Sequence, residues 1–267
     1  MDNKLGSKIP TSLVGPKTKR QMTVTMSVIM ILYLISAIKT ESFVTELFYG
    51  FENIMMMVGQ LFPPNPNYAQ AVWPKLIETL HMAIIATTVA IVLCVPLSLL
   101  AANNVTSNKY LYNSVRMFLN ILRTIPDIIL AVIFVGLFGI GVFPGILALI
   151  IFSLGILAKL ISETIESIDS HPLEAMTASG ANKLQVIWFA VVPQVLPQFI
   201  SFGLYVFEIN IRASVVLGLV GAGGVGQLLN QQINFFNYQN AMMLIVIIFI
   251  AVIIIDYIST KLREAIV

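Results

Sequence analysis

The chain has 267 residues, of which 58% are hydrophobic and only 10% charged, with a formal net charge of +2. Soluble domains carry about 25% charged residues, so this composition excludes an ordinary soluble protein and gives no reason to expect nucleic acid as a partner. Several apolar runs reach the roughly 20 residues that cross about 30 Å of hydrocarbon, and none alternates with period two. An all-α polytopic membrane bundle of about six spans is therefore predicted rather than a barrel.

Residues 1–21 form a basic segment with Lys4, Lys8, Lys17, Lys19 and Arg20, followed by an apolar run over 22–38. No small-x-small cleavage site follows, so an uncleaved first span is expected. Apolar residues then recur at helical spacing from Phe43 to Leu61, predicting an amphipathic helix on the outer surface that ends before Pro63, Pro64 and Pro66. The Met55–Met57 cluster within it suits lipid or core packing better than a metal site. Residues 22–70 thus hold the first span and this helix, and residues 71–267 form the main bundle. Its spans are expected over 79–101, 117–139, 142–163, 186–217 and 239–260. The single cysteine, Cys94, lies inside an apolar run and excludes an intrachain disulfide.

Basic residues set the orientation. They cluster in the N-terminal segment, at Lys109, Arg116 and Arg123, at Lys159 and Lys183, and at Lys261 and Arg263, whereas 218–238 has none. Both termini and the 164–185 segment are predicted to be cytoplasmic. That segment begins "SHPLEAMTASGANK". Pro172 suits a first helical turn, Glu174 meets the positive end of the helix dipole, Gly180 supplies a left-handed stop, and Asn182 can cap the next helix. A short exposed helix, a glycine corner and a second helix re-entering the bilayer follow.

Few residues promise chemistry. "GAGGVG", Gly221 to Gly226, satisfies a dinucleotide-binding pattern formally, but it follows a membrane span rather than a strand. Gly221, Gly223, Gly224 and Gly226 are read instead as a flexible external gate loop leading into a short helix. No P-loop, zincin motif or nucleophile elbow occurs, and His81 and His171 are too far apart to suggest a local metal pair. Glu208 and Arg212 lie i, i+4 on one face of a span, with Asn210 on another part of its circumference. Intramembrane charge usually faces a bundle interior or a water-filled cavity, so these three are candidates for the pathway or gate. The alternative is an ion pair near the outer interface. Arg123, Pro126 and Asp127 form a second candidate group. Arg123 is placed near the cytoplasmic end of the third span, where an interfacial anchor is the competing role, and Pro126 should kink or begin that span.

"EAMTASGANKLQVIWFAVVP" resembles the EAA loop of ABC importer permeases. Glu174, Ala175, Gly180 and Pro193 match at the right spacing; Met176 replaces the second Ala, and Ala190 and Val192 replace an Ile and a Leu. "LRTIPDIILAVIFV" from Leu122 and "FEINIRASVVLGLVGAGGVGQLL" from Phe207 are similar to the permease of phosphonate-type importers, and the resemblance extends over roughly 75–267. It implies that Glu174, Ala175, Met176 and Gly180 belong to a helix gripped by a separate ABC ATPase subunit, which would carry ATP and Mg, this chain binding no cofactor and no metal. It further implies an extracytoplasmic solute-binding protein, a second copy of the chain, a bacterial cytoplasmic membrane, no catalysis by this chain, and phosphonate or a related small phosphorus oxyanion as cargo. Phosphate or methionine, and a stand-alone channel or secondary transporter, are the alternatives.

Overall fold

A computed structural model describes residues 15–40, 50–106 and 108–266. The chain divides into units spanning 1–59 and 60–267. In the first, helix α1 (Pro16–Lys39) starts with Pro16 at a first-turn position, and Thr40 N–H closes it on Ser36 O. It is long and apolar enough to span a membrane. The expected surface helix is found as α2 (Phe51–Leu61), which buries none of its residues; residues 41–49 of that expectation lie outside the described residues.

The second unit contains α3 (Ala69–Leu100), α4 (Lys109–Thr124), α5 (Asp127–Phe138), α6 (Val142–Ser167), α7 (His171–Ala178), α8 (Lys183–Val186), α9 (Val192–Leu219), α10 (Gly224–Asn234) and α11 (Tyr238–Ile266), with no strand among the described residues. Small residues hold the bundle together. On α3, Thr79, Ala83, Ala86, Ala90, Cys94 and Ser98 recur at three- or four-residue spacing and are all buried. On α6 the equivalent seam is Gly145, Ala148, Gly155, Ala158 and Ser162. Close backbone approach through such seams is the main source of helix association in lipid, where burying apolar surface gains little. Large apolar side chains point outward instead, as with Ile245, Phe249, Ile253 and Tyr257 on α11.

α3, α6 and α11 run from the end carrying the glycine-rich turn to the end carrying α7, and α9 runs back. A π-helical stretch, Ile187–Val191, joins α8 to α9. It lies directly before Pro193, whose ring would meet the Phe189 carbonyl in a regular α-helix.

One expected span is corrected. Residues 117–139 are not a single helix: α4 and α5 meet at an angle of 85°. Pro126 is the N-cap of α5, and Ile125 before it is extended (ψ 120°), as the residue before proline prefers. Five other helices are long enough to cross, so six spans result only when the bent pair counts as one.

Candidate functional site

α7 is built by local chemistry. Asp169 accepts from the His171 backbone N–H (3.0 Å) and lies 2.6 Å from its Nδ1. Hydrogen bonding to Asp169 holds the His171 imidazole above its usual pKa, and His171 in turn holds Asp169 below the usual carboxylate value. Ser170 Oγ donates to Glu174 (3.1 Å). Gly180, at φ 84°, turns the chain after the last helical turn while Ala181 N–H returns to Met176 O. Asn182 and Gln185 then form a reciprocal capping box on α8.

The helix buries none of its residues. Leu173 leans against the bundle core, Met176 is half-buried, and Glu174, Ala175 and Gly180 are exposed. A cleft of about 690 Å3 lies between α7, the turn at Asn104 and the π segment. One side chain, Gln194, ties α7 to the long helix: its Oε1 accepts from Asp169 N–H (3.1 Å) and its Nε2 donates to Ala190 O (2.8 Å).

Glu208 and Arg212 pair as their spacing predicts, at 2.6 Å. The sequence did not reveal the third member. Arg263 Nη2 donates to the other Glu208 oxygen at 3.1 Å, so one nearly buried carboxylate holds two guanidinium groups. Arg263 belongs to the α7 end of α11, and Glu208 lies near the middle of α9. Arg212 is half-exposed. Asn210 turns inward and is fully buried; it donates to Thr87 Oγ1 (2.9 Å) and accepts from Ser153 Oγ (2.8 Å), joining α9 to α3 and α6.

At the α7 end, Glu166 is a second node missed in the sequence. It accepts from Arg116 (2.9 Å) and from Asn103 N–H (3.0 Å), and Arg116 also contacts the Tyr112 hydroxyl. Arg123 has a different setting from the one expected. A Cβ added at Gly155 would sit 3.2 Å from the Arg123 backbone nitrogen, and Gly155 lies midway along α6. Arg123 is therefore level with the middle of the bundle rather than with a span's cytoplasmic end. Its side chain is exposed. Asp127 accepts from Ile128 N–H at the start of α5, and Pro126 marks the break.

The glycine turn is packed rather than loose. Gly224 and Gly226 are buried; a Cβ at Gly226 would lie 1.9 Å from Val215 O, and one at Gly223 2.9 Å from Val142 Cα. Gly221 and Gly223 have φ of 92° and 81°, and Gly221 O accepts from Gly141 N–H. The first N–H groups of α10 are satisfied from α3: Gly224 donates to Glu78 and Val225 to Thr79 Oγ1, each at 2.8 Å. Among the described residues no three His, Cys, Asp or Glu side chains gather as metal ligands.

Comparison with known proteins places this geometry. The family described as "Binding-protein-dependent transport system inner membrane component" matches residues 94–264. A phosphite transport system permease protein of Stutzerimonas stutzeri is 38% identical over 220 residues, covering 82% of this chain and 80% of the relative. The phosphate-import permease protein of Mycolicibacterium smegmatis is 35% identical over 231 residues, 86% of this chain but 43% of that longer protein. Among solved structures, a chain of the inward-facing methionine ABC transporter MetNI has the same fold, with a TM-score of 0.66 at 24% identity, covering 76% of this chain and 99% of that one.

Proposed function

Because the chain belongs to the family of binding-protein-dependent transport system inner membrane components, we propose that it is the permease subunit of an ATP-driven importer for phosphonate, phosphite or a related small phosphorus oxyanion. The observation that carries this reading is α7: a helix tied to the bundle at its start through Asp169 and Gln194 that buries none of its own residues. Such a helix offers a surface to a soluble partner. The relatives named for phosphite and phosphate import support the cargo class.

In this reading residues 71–267 are the transport unit, and two copies enclose the path. Each α7 sits on an ABC ATPase subunit, with Glu174, Ala175 and Met176 at the contact and Gly180 setting the angle to α8. ATP and Mg belong to those partners, and this chain performs no hydrolysis. Its own task is mechanical. Displacement of α7 passes through the Asp169–Gln194 contact to α9, and along α9 to the packed glycine corner at its far end. A ligand moves such an equilibrium only through different affinity for its two states; that role falls to nucleotide on the ATPase and to a loaded solute-binding protein on the opposite face.

Orientation follows the same logic. Within residues 60–267, Lys109, Arg116, Lys159, Lys183, Lys261 and Arg263 lie towards the α7 end and Lys75 at the glycine end, with Arg123 and Arg212 between them, which supports a cytoplasmic α7 end. Replacing Glu174→Arg should leave the chain in the membrane but greatly reduce the ATPase that co-purifies with it. Unchanged co-purification would remove α7 from the docking role. Calorimetric titration of the partner binding protein with phosphite, methylphosphonate, phosphate and methionine tests the cargo.

A further inference from the structure

α4 carries a polar stripe that the bundle leaves without partners. Lys109, Asn113, Arg116, Asn120, Arg123 and Thr124 fall on one side of the helix at i, i+3, i+4 and i+7 spacing. The other side packs into the core through Val115, Leu119 and Leu122. Arg116 is engaged by Glu166, and Thr124 donates back to Asn120 O. The side chains of Asn113, Asn120 and Arg123 are exposed and make no hydrogen bond or ion pair with any described residue. A groove of about 390 Å3 runs beside them, bounded by Asn113, Arg116, Asn120 and Thr124 together with the apolar Met117 and Ile121.

Depth decides what this means. Arg116 meets Glu166 near the end of α6, whereas the Arg123 backbone meets Gly155 at its middle. Those two α6 positions are eleven residues apart, or about 16 Å at 1.5 Å per residue. α4 therefore climbs from the α7 end to the centre of a layer whose hydrocarbon is about 30 Å thick. It is not a helix lying along the surface, where polar residues would meet water freely. A free guanidinium at the centre and the free Asn120 amide one turn before it cannot face lipid; they need water or another chain, and Asn113, beyond Arg116, continues the stripe to the α7 end.

We propose that this stripe is the wall of the translocation path from its midpoint to the α7 end, and that Asn113, Asn120, Thr124 and Arg123 are contact groups for a small oxyanion in transit. The assignment rests on the importer reading above, in which a second copy closes the other side. Its chemistry is selective. The amides of Asn113 and Asn120 line the groove and no carboxylate does; Arg123 lies beside its inner end, Glu166 is held by Arg116, and Asp127 caps Ile128 N–H at the start of α5. A tetrahedral oxyanion would meet amide donors along the groove and the Arg123 cation at its inner end.

The test uses the complete transporter with its ATPase and binding protein in vesicles, on a Cys94→Ala background. Asn113→Cys, Asn120→Cys and Thr124→Cys should react with charged methanethiosulfonates, the sulfonate reagent outpacing the trimethylammonium one by about tenfold through local potential. Phosphite supplied with ATP should slow the reaction, and labelling should block phosphite uptake. Phe118→Cys, on the opposite side of α4, should stay unreactive. Arg123→Gln should cut uptake by about tenfold, as expected for loss of a charged hydrogen-bond donor, with Arg123→Lys recovering part of it. Equal labelling of Phe118→Cys and Asn120→Cys, or full uptake by Arg123→Gln, overturns the assignment. Hydrolysis of ATP stimulated by loaded binding protein is read in the same vesicles. Its absence from the unsubstituted complex overturns the importer reading itself, separately from the path wall.

Discussion

Glu208 shows how far single residues could be read in advance. Its pairing with Arg212 is a matter of helical spacing and was legible; Arg263, 55 residues away in sequence, was not, because no local pattern links the middle of α9 to the last turns of α11. Among the described residues Glu208 is the only counter-charge of both guanidinium groups; breaking a fully buried pair costs about 3–5 kcal/mol, an upper bound here because Arg212 keeps half its surface in solvent. Glu208→Gln should accordingly lower the melting temperature of the purified transporter sharply, with Glu208→Gln/Arg212→Met recovering part of the loss. An unshifted melting curve would show that the node contributes nothing. His171 gives a milder case. Its pKa is raised by Asp169 and that of Asp169 lowered by His171, so the pair is fully formed between the two ordinary values, 3.8 and 6.5. Its contribution is lost as pH rises through the raised imidazole value or falls through the lowered carboxylate value. NMR titration of His171 should give a pKa above 6.5 that drops in Asp169→Asn; an unchanged value would exclude the pairing. Both side chains are solvent-exposed, so the effect on stability is small.

At the scale of elements, α7 and its surroundings were readable because caps and stops are written in adjacent residues: Pro172, Glu174, Gly180 and Asn182 all act where expected. The third span was not. A hydropathy window registers 117–139 as one apolar run and carries no information about direction, so Pro126 was read as a kink or a start, and the 85° turn there was not. The glycine turn misled in another way. Glycines were read as freedom, whereas Gly226 is demanded by the Val215 carbonyl that presses against it. Gly226→Ala should therefore abolish or strongly destabilise the folded permease, while Gly136→Ala, with nothing within 4 Å of the added methyl, should leave its melting temperature unchanged. Equal behaviour of the two variants would mean that α9 and α10 can separate without cost.

For the whole molecule, composition sufficed for an all-helical membrane protein, and the sequence motifs sufficed for the family. What neither conveyed was which helix faces which, since small-residue seams on α3 and α6 look alike until they are packed. The distribution of basic residues makes a global prediction. Cysteine introduced at Ala178 should be labelled by impermeant reagents only from the cytoplasmic side, and cysteine at Gln231 only from the opposite side. Labelling of both from one face would invert or dismantle the proposed orientation.

The bend between α4 and α5 also bears on how the protein is made. With 16 and 12 residues, the two halves are about 24 and 18 Å long at 1.5 Å per residue, and neither alone crosses the hydrocarbon. The niche that receives the Arg123 backbone is Gly155, which leaves the ribosome later. Insertion of this segment must then await the helix that follows it, and in the proposed pair of copies its exposed cation stays costly until the second copy arrives. Biogenesis, on this account, is a two-step affair in which α6 rescues the broken segment and the proposed pairing of two copies completes it.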